Sequence, residues 1–249
     1  MTITSPHNDQ LKQIRKLAAR RRARELAGRF VAEGEDLLAA ADAAGWEPLE
    51  RYCAAGSGLD GVEVSPEALA AVSQLGSGTR ALAVYEQRWA HAPAGPLCVC
   101  LHGIADPGNV GAVLRSALAF GAASVALGPG CADPYGPKAV RASMGALFAV
   151  PLARVGAAVA LPGTTVALDS HRGEPLATVV AQLGGPVTLL VGAERAGLPD
   201  ALLAAADRTA RIPIRTDSLN AAMAATVALY ELTRGPAGAP AADHRIPAP

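Results

Sequence analysis

From Leu97 onward the apolar positions fall into blocks: PLCVCLHGI, ASVALG, TTVALDS and PVTLLVG are near-continuous apolar runs. Between them lie stretches whose apolar residues recur at helical spacing. Short runs buried on both faces are strands of a parallel sheet, and the intervening helices are the crossovers that cover it. The pattern predicts a helix over DPGNVGAVLRSALAFGA, with Val110, Val113, Leu114 and Ala117 as its core stripe. A second helical stretch surrounds KAVRASMGA, and a last helix, DSLNAAMAATVALYELTR, follows a short strand at RIPI.

The N-terminal third is patterned differently. In LKQIRKLAARRRARELAGRFVAEGEDLLAAADAAG, charged and apolar residues alternate at helical spacing, interrupted by Gly28 and a strand-like FVAEG. Shorter apolar pieces, ERYCAA, VEVS and ALAVYE, complete a small α/β domain that ends near Glu86. Pro93, Gly95 and Pro96 then break the segment QRWAHAPAGP into a linker. The expected organisation is a domain over 1–88, a parallel α/β domain over 97–234 and a disordered Pro/Ala-rich tail over 235–249.

Composition narrows the class. With 51% hydrophobic and 18% charged residues, the chain is expected to be a packed soluble protein and not a disordered one. No apolar run reaches the roughly 18 residues of a membrane helix, and the start lacks the apolar core of a secretory signal, so a cytoplasmic location is expected. Cys53, Cys98, Cys100 and Cys131 show no spacing suited to zinc, so neither a metal site nor a disulfide is expected. Net charge is zero overall, yet residues 1–30 hold eight basic residues against Asp9 and Glu25, a local +6. That asymmetry points to a polyanion at Lys12, Arg15, Lys16, Arg20, Arg21, Arg22 and Arg24, although a solvated helix face gives the same pattern.

The predicted helix at 107–119 opens on Pro107, Gly108 and Asn109 and carries one arginine, Arg115, beside Gly108, Gly111, Ala112 and Ala119. A strand, a turn and a helix start form an anion site, because the first helical N–H groups lack partners. The dinucleotide fingerprint GxGxxG is nevertheless missing, which disfavours a nicotinamide-dependent Rossmann oxidoreductase. A guanidinium among small residues suits a phosphate, whose oxygens its planar donors meet in pairs, and equally suits a carboxylate partner. Three further segments share this character. PYGPKAVRASMGALFAVPL carries Lys138, Arg141 and Ser143; LLVGAERAGLP places Glu194 on a turn; RIPIRTDSLNAAMAA places Ser218 and Asn220 at a helix start.

In this order and on this strand scaffold, the four segments resemble the SpoU/TrmH family of RNA ribose methyltransferases in the SPOUT superfamily. The resemblance extends to SPHNDQLKQIRKLAARRRARELAGRFVAEG, which looks like that family's N-terminal substrate-binding domain, related in fold to ribosomal protein L30e. It implies an α/β fold: a C-terminal SPOUT domain with a parallel sheet and a trefoil knot, an exception to the rule that chains do not thread loops. It also implies S-adenosylmethionine-dependent 2′-O-ribose methylation of structured RNA, ribosomal RNA favoured over tRNA, by a homodimer. The cofactor pocket falls by motif position on Gly192, Ile212 and Leu219, and the catalytic positions on Asn109, Arg115, Glu194, Ser218 and Asn220. Asn109 is expected to position Arg115 or the ribose. Two departures stand out: Arg195 follows the motif glutamate where many relatives have glycine, and AAMAA follows SLN in place of the commoner VSVAA. A catalytically silent RNA-binding relative is the competing reading, against which the retained catalytic positions speak.

Overall fold

A computed structural model of the protein describes residues 2–74, 78–156 and 160–234; the tail expected at 235–249 lies outside the described residues. In chain order the N-terminal elements are α1 (Asp9–Ala19), α2 (Arg21–Ala27), β1 (Arg29–Glu33), α3 (Glu35–Ala43), β2 (Glu50–Ala54), β3 (Val62–Val64), α4 (Pro66–Ala70) and β4 (Ala81–Glu86). There follow β5 (Leu97–Leu101), α5 (Pro107–Ala119), β6 (Ser124–Leu127), α6 (Pro137–Ala142), α7 (Ala146–Ala149) and β7 (Leu152–Arg154). The chain continues through β8 (Thr164–Leu168), β9 (Glu174–Pro175), α8 (Leu176–Val180), β10 (Val187–Val191), α9 (Asp200–Ala205), β11 (Arg208–Arg211) and α10 (Ala221–Thr233).

Two compact units emerge. One comprises the chain up to Arg88 together with Asp133–Ala149; the other comprises Trp89–Ala132 and the chain from Val150 onward. The segment Asp133–Ala149, expected inside an uninterrupted second domain, thus belongs to the first. Its aromatic side chains explain why: Phe30 lies 4.7 Å from Tyr135 by ring centroids, and Trp46 lies 5.2 Å from Phe148. Trp46 Nε1 also donates to the Phe148 carbonyl at 2.8 Å.

The first unit is built on a four-stranded sheet of order β1-β4-β2-β3, antiparallel except for the β2–β3 pair. Leu11, Ile14 and Leu17 of α1 pack with Val31, Tyr52, Leu82 and Val84 as its core. The first predicted helix is interrupted at Arg20, whose extended backbone (φ −126°, ψ 115°) separates α1 from α2. The break turns Arg24 inward, where Nη1 donates to the Leu17 and Ala18 carbonyls at 2.7 and 3.2 Å and Nε pairs with Asp133 at 2.7 Å. Those carbonyls end α1 and have no intrahelical donor, so the guanidinium supplies one. Arg24 is 5% exposed. A buried, fully engaged arginine is not an RNA contact, and Arg24 leaves the expected set.

The second unit carries a seven-stranded sheet of order β7-β6-β5-β10-β8-β11-β9, parallel in every pair. Four of its strands, β5, β6, β8 and β10, are the apolar runs of the sequence; β11 ends at Arg211, so most of RIPI continues past the strand, and β7 and β9 lie outside those runs. The linker is tied to this unit. Trp89 stacks with Arg154, whose guanidinium carbon lies 4.0 Å from the ring centroid, and Ser124 Oγ donates to the Ala94 carbonyl at 2.7 Å. The chain runs outward from β5 through β6 to β7, then returns so that β10 lies between β5 and β8. Such a reversal of strand order leaves a crevice beyond the carboxyl ends of the strands, the place where ligands of open parallel sheets collect.

Candidate active site

Beyond the ends of β8, β10 and β11 lies a solvent-open cleft. Leu168, Asp169 and Ser170 reach it from β8, Gly192 to Arg195 and Gly197 from β10, and Ile212 and Ile214 from the run after β11. Ser218, Leu219 and Ala221 close it at the start of α10. All three residues expected to hold the cofactor, Gly192, Ile212 and Leu219, therefore face one cavity.

The turn after β10 requires its glycines. Ala193 and Gly197 exchange backbone hydrogen bonds of 3.1 and 2.9 Å, and Gly197 adopts φ +65°. This folds the chain back onto Gly192 so tightly that a Cβ there would lie 2.2 Å from the Gly197 carbonyl carbon. Glu194, Arg195 and Ala196 form the tip.

Glu194 is held by a relay that begins at a helix cap. Asn220 Oδ1 accepts from the Ala222 and Met223 N–H groups at 3.0 and 3.3 Å, the open donors at the start of α10. With its oxygen so committed, the Asn220 amide nitrogen faces outward and donates to Asn109 Oδ1 at 3.1 Å. Asn109 is thereby oriented in turn, and its amide nitrogen donates to Glu194 Oε1. The cap thus sets the direction of every hydrogen bond in the chain, without which amide oxygen and nitrogen would be interchangeable. Asn109 sits on the first turn of α5, where Asp106 Oδ1 caps the helix by accepting from the Gly108 N–H at 2.7 Å.

Asn109, Glu194 and Asn220 are therefore brought together, and Glu194 and Ser218 line the cleft. Arg115 is placed differently. It lies six residues beyond Asn109, about 9 Å along α5, is exposed, and is not among the residues lining the cleft. Among the described residues it has no hydrogen bond or ion pair, so Asn109 orients Glu194 and not Arg115. Missing from the sequence expectation are Asp169 and Ser170. Asp169 Oδ1 accepts from the His171 and Arg172 N–H groups at 2.8 Å each, an Asx turn that places them at the cleft. The signal available was the DS pair ending the TTVAL strand. Among the described residues no group of three or more His, Cys, Asp or Glu side chains is arranged to hold a metal ion.

Comparison with known proteins places this arrangement. The profile of the SpoU rRNA Methylase family matches residues 96–230, more than half of the chain, and the protein belongs to that family. Among curated relatives, the 23S rRNA (uridine(2479)-2′-O)-methyltransferase of Streptomyces viridochromogenes is 39% identical over 145 residues, 52% of this chain and 49% of the relative. The match thus spans about half the length of that relative. The 23S rRNA (guanosine(2553)-2′-O)-methyltransferase of Bacillus subtilis is 29% identical over 187 residues, 71% of this chain and 73% of the relative. Among solved structures, the AdoMet-bound rRNA methyltransferase of Sinorhizobium meliloti superposes with a TM-score of 0.84 at 31% identity, covering 94% of this chain and 97% of the other.

Proposed function

We propose that the protein is an S-adenosylmethionine-dependent RNA 2′-O-ribose methyltransferase acting on ribosomal RNA. The observation that carries this is the relay from Asn220 through Asn109 to Glu194 beside a cleft that gathers Gly192, Ile212 and Leu219. The cleft fits the cofactor: apolar walls at Ile212 and Leu219 suit an adenine ring, and Asp169 and Ser170 offer polar groups to a ribose. When bound, S-adenosylmethionine supplies a methyl group already activated by its sulfonium, so the protein's task is to present the nucleophile. Glu194, fixed by Asn109, orients the target nucleotide at the cleft, with Ser218 on the facing wall. Arg115, with its fork unengaged, grips the phosphate beside the target ribose and stabilises charge developing on the 2′-oxygen, while a phosphate oxygen or water takes the proton. An arginine is too weak an acid to serve readily as the base.

The finer features follow from the same reading. The insertion of β10 and β11 among earlier strands supports a trefoil-knotted C-terminal domain, and the four-stranded first unit supports an L30e-like RNA-recruiting domain. Lys16, Arg20 and Arg22 are exposed with no ion pair among the described residues and form the core of its RNA surface. Lys12 and Arg21 pair with Asp9 and Glu25 at 2.9 and 2.8 Å, and Arg15 donates to the Pro6 carbonyl at 3.3 Å. Exposed pairs are weak enough for RNA phosphates to replace the acidic partners. Met223, Val227 and Tyr230 are 63, 42 and 53% exposed at i, i+4 and i+7 of α10, an apolar stripe that a second copy covers in a homodimer. A cytoplasmic location accompanies this reading, with the buried cysteines remaining reduced.

The test is transfer of labelled methyl to unmodified large-subunit rRNA transcript and to total tRNA, followed by alkaline hydrolysis. A 2′-O-methyl blocks strand cleavage at its own position, so an alkali-resistant labelled dinucleotide from rRNA is expected. No transfer to either RNA would overturn the proposal. Sedimentation should show a dimer that Val227→Glu converts to monomer.

A further inference from the structure

The arginines of the second unit divide into two groups. Arg154 stacks on Trp89, Arg172 pairs with Asp200 at 2.9 Å, and Arg234 pairs with Glu231. Arg208 and Arg211 donate to the carbonyls of Asp207 and Gly173 at 3.0 and 3.2 Å. Arg115, Arg195 and Arg215 are exposed and have no hydrogen bond or ion pair among the described residues. Of these three, Arg195 alone lines the cleft.

Its placement is specific. Arg195 stands at the tip of the turn closed by Ala193 and Gly197, directly after the glutamate that Asn109 holds. Two carboxylates lie in the same cleft, yet neither pairs with it. Glu194 is turned toward Asn109, and Asp169 Oδ1 is occupied by the His171 and Arg172 N–H groups. Its near neighbours in the chain, Ala193, Ala196 and Gly197, carry little bulk. An exposed planar fork without a partner, flanked by small residues, is open to a bidentate anion.

We propose that Arg195 binds an RNA phosphodiester at the mouth of the cleft, fixing the backbone on the side of the target ribose away from Arg115. This rests on the RNA methyltransferase reading above. The cofactor's own carboxylate is the other anion that could reach it. A phosphodiester is favoured because Arg195 is exposed at the outer tip, while Gly192, Ile212 and Leu219 line the half-buried interior. The cofactor's carboxylate also travels with its own ammonium, which leaves little net charge for a distant cation to attract.

The experiment compares parent, Arg195→Ala and Arg195→Lys full-length proteins in three measurements: affinity for large-subunit rRNA transcript as a function of salt, affinity for S-adenosylmethionine by calorimetry, and KM against kcat for methyl transfer. For Arg195→Ala, RNA affinity should fall about three- to tenfold, with the salt slope reduced by about 0.7–0.9, one phosphate contact. The effect should fall on the RNA KM more than on kcat, with cofactor affinity within about twofold. Arg195→Lys should restore the salt slope, because the charge is kept, and only part of the affinity, because the fork is lost. Weakened cofactor binding with unchanged RNA affinity would reassign the guanidinium to the cofactor's carboxylate and overturn the proposal. An unchanged RNA salt slope would overturn it equally. Failure of the underlying activity shows separately, as absence of methyl transfer by the parent protein.

Discussion

Asn220 does two jobs with one side chain, and two substitutions separate them. Its Oδ1 caps α10 through the Ala222 and Met223 N–H groups, and its amide nitrogen donates to Asn109. Asn220→Ala removes both. Loss of the cap costs about 1 kcal/mol, roughly 2–4 °C in melting temperature for a chain of this size. Asn220→Asp keeps the capping oxygen and adds a negative charge at the positive end of α10, so the melting temperature should hold or rise slightly. It nevertheless replaces the donor facing Asn109 Oδ1 with a second acceptor. Asn109 then loses its orientation and Glu194 its donor. A hydrogen bond to a charged group contributes about 1.5–3 kcal/mol, so transfer should slow about 10- to 150-fold. The assay is single-turnover methyl transfer at saturating RNA and cofactor, read beside thermal melts of the same preparations. The reasoning fails if Asn220→Asp keeps a rate within about threefold of the parent, a barrier change under roughly 0.7 kcal/mol.

Arg115→Ala should abolish transfer with cofactor affinity and melting temperature little changed, and Arg115→Lys should remain severely impaired because a point charge lacks the fork; single-turnover rates check both. Gly192→Ala places a methyl 2.2 Å from the Gly197 carbonyl carbon, so the turn must move; calorimetry should show at least about tenfold weaker cofactor binding, with a stability cost of about 1–3 kcal/mol. Asp133→Ala leaves Arg24 buried without its carboxylate and should cost about 3–5 kcal/mol in denaturant unfolding, far more than loss of the exposed Asp9–Lys12 pair. All four thiols are buried, and desolvation pushes Cys100 up to about 12, so a thiol reagent at pH 8 should label the folded protein negligibly and label all four cysteines once it is unfolded.

What the sequence determined is local. Strands such as Leu97–Leu101 and Val187–Val191 are uninterrupted apolar runs because both faces of a parallel sheet are covered, and the stripe Val110, Val113, Leu114 and Ala117 is buried because a surface helix has one inward face. The turn carrying Glu194 and the helix start at Ser218 and Asn220 were legible, because turn and helix-start chemistry depends on near neighbours alone. Pairings between distant residues were not. No period in the chain shows that β10 lies between β5 and β8, or that Asn109 meets a glutamate 85 residues later and an asparagine 111 residues later. Nor does charge count distinguish Arg24 from its basic neighbours; only the break at Arg20 turns it inward to Asp133. Likewise the helical pattern of Asp133–Ala149 specifies an apolar face but not the sheet it covers, and that choice fell to the aromatic residues Phe30, Trp46 and Tyr85 of the first unit. Burial stabilises any complementary apolar surface without regard to its place in the chain, so which surfaces meet is decided only when the whole chain folds.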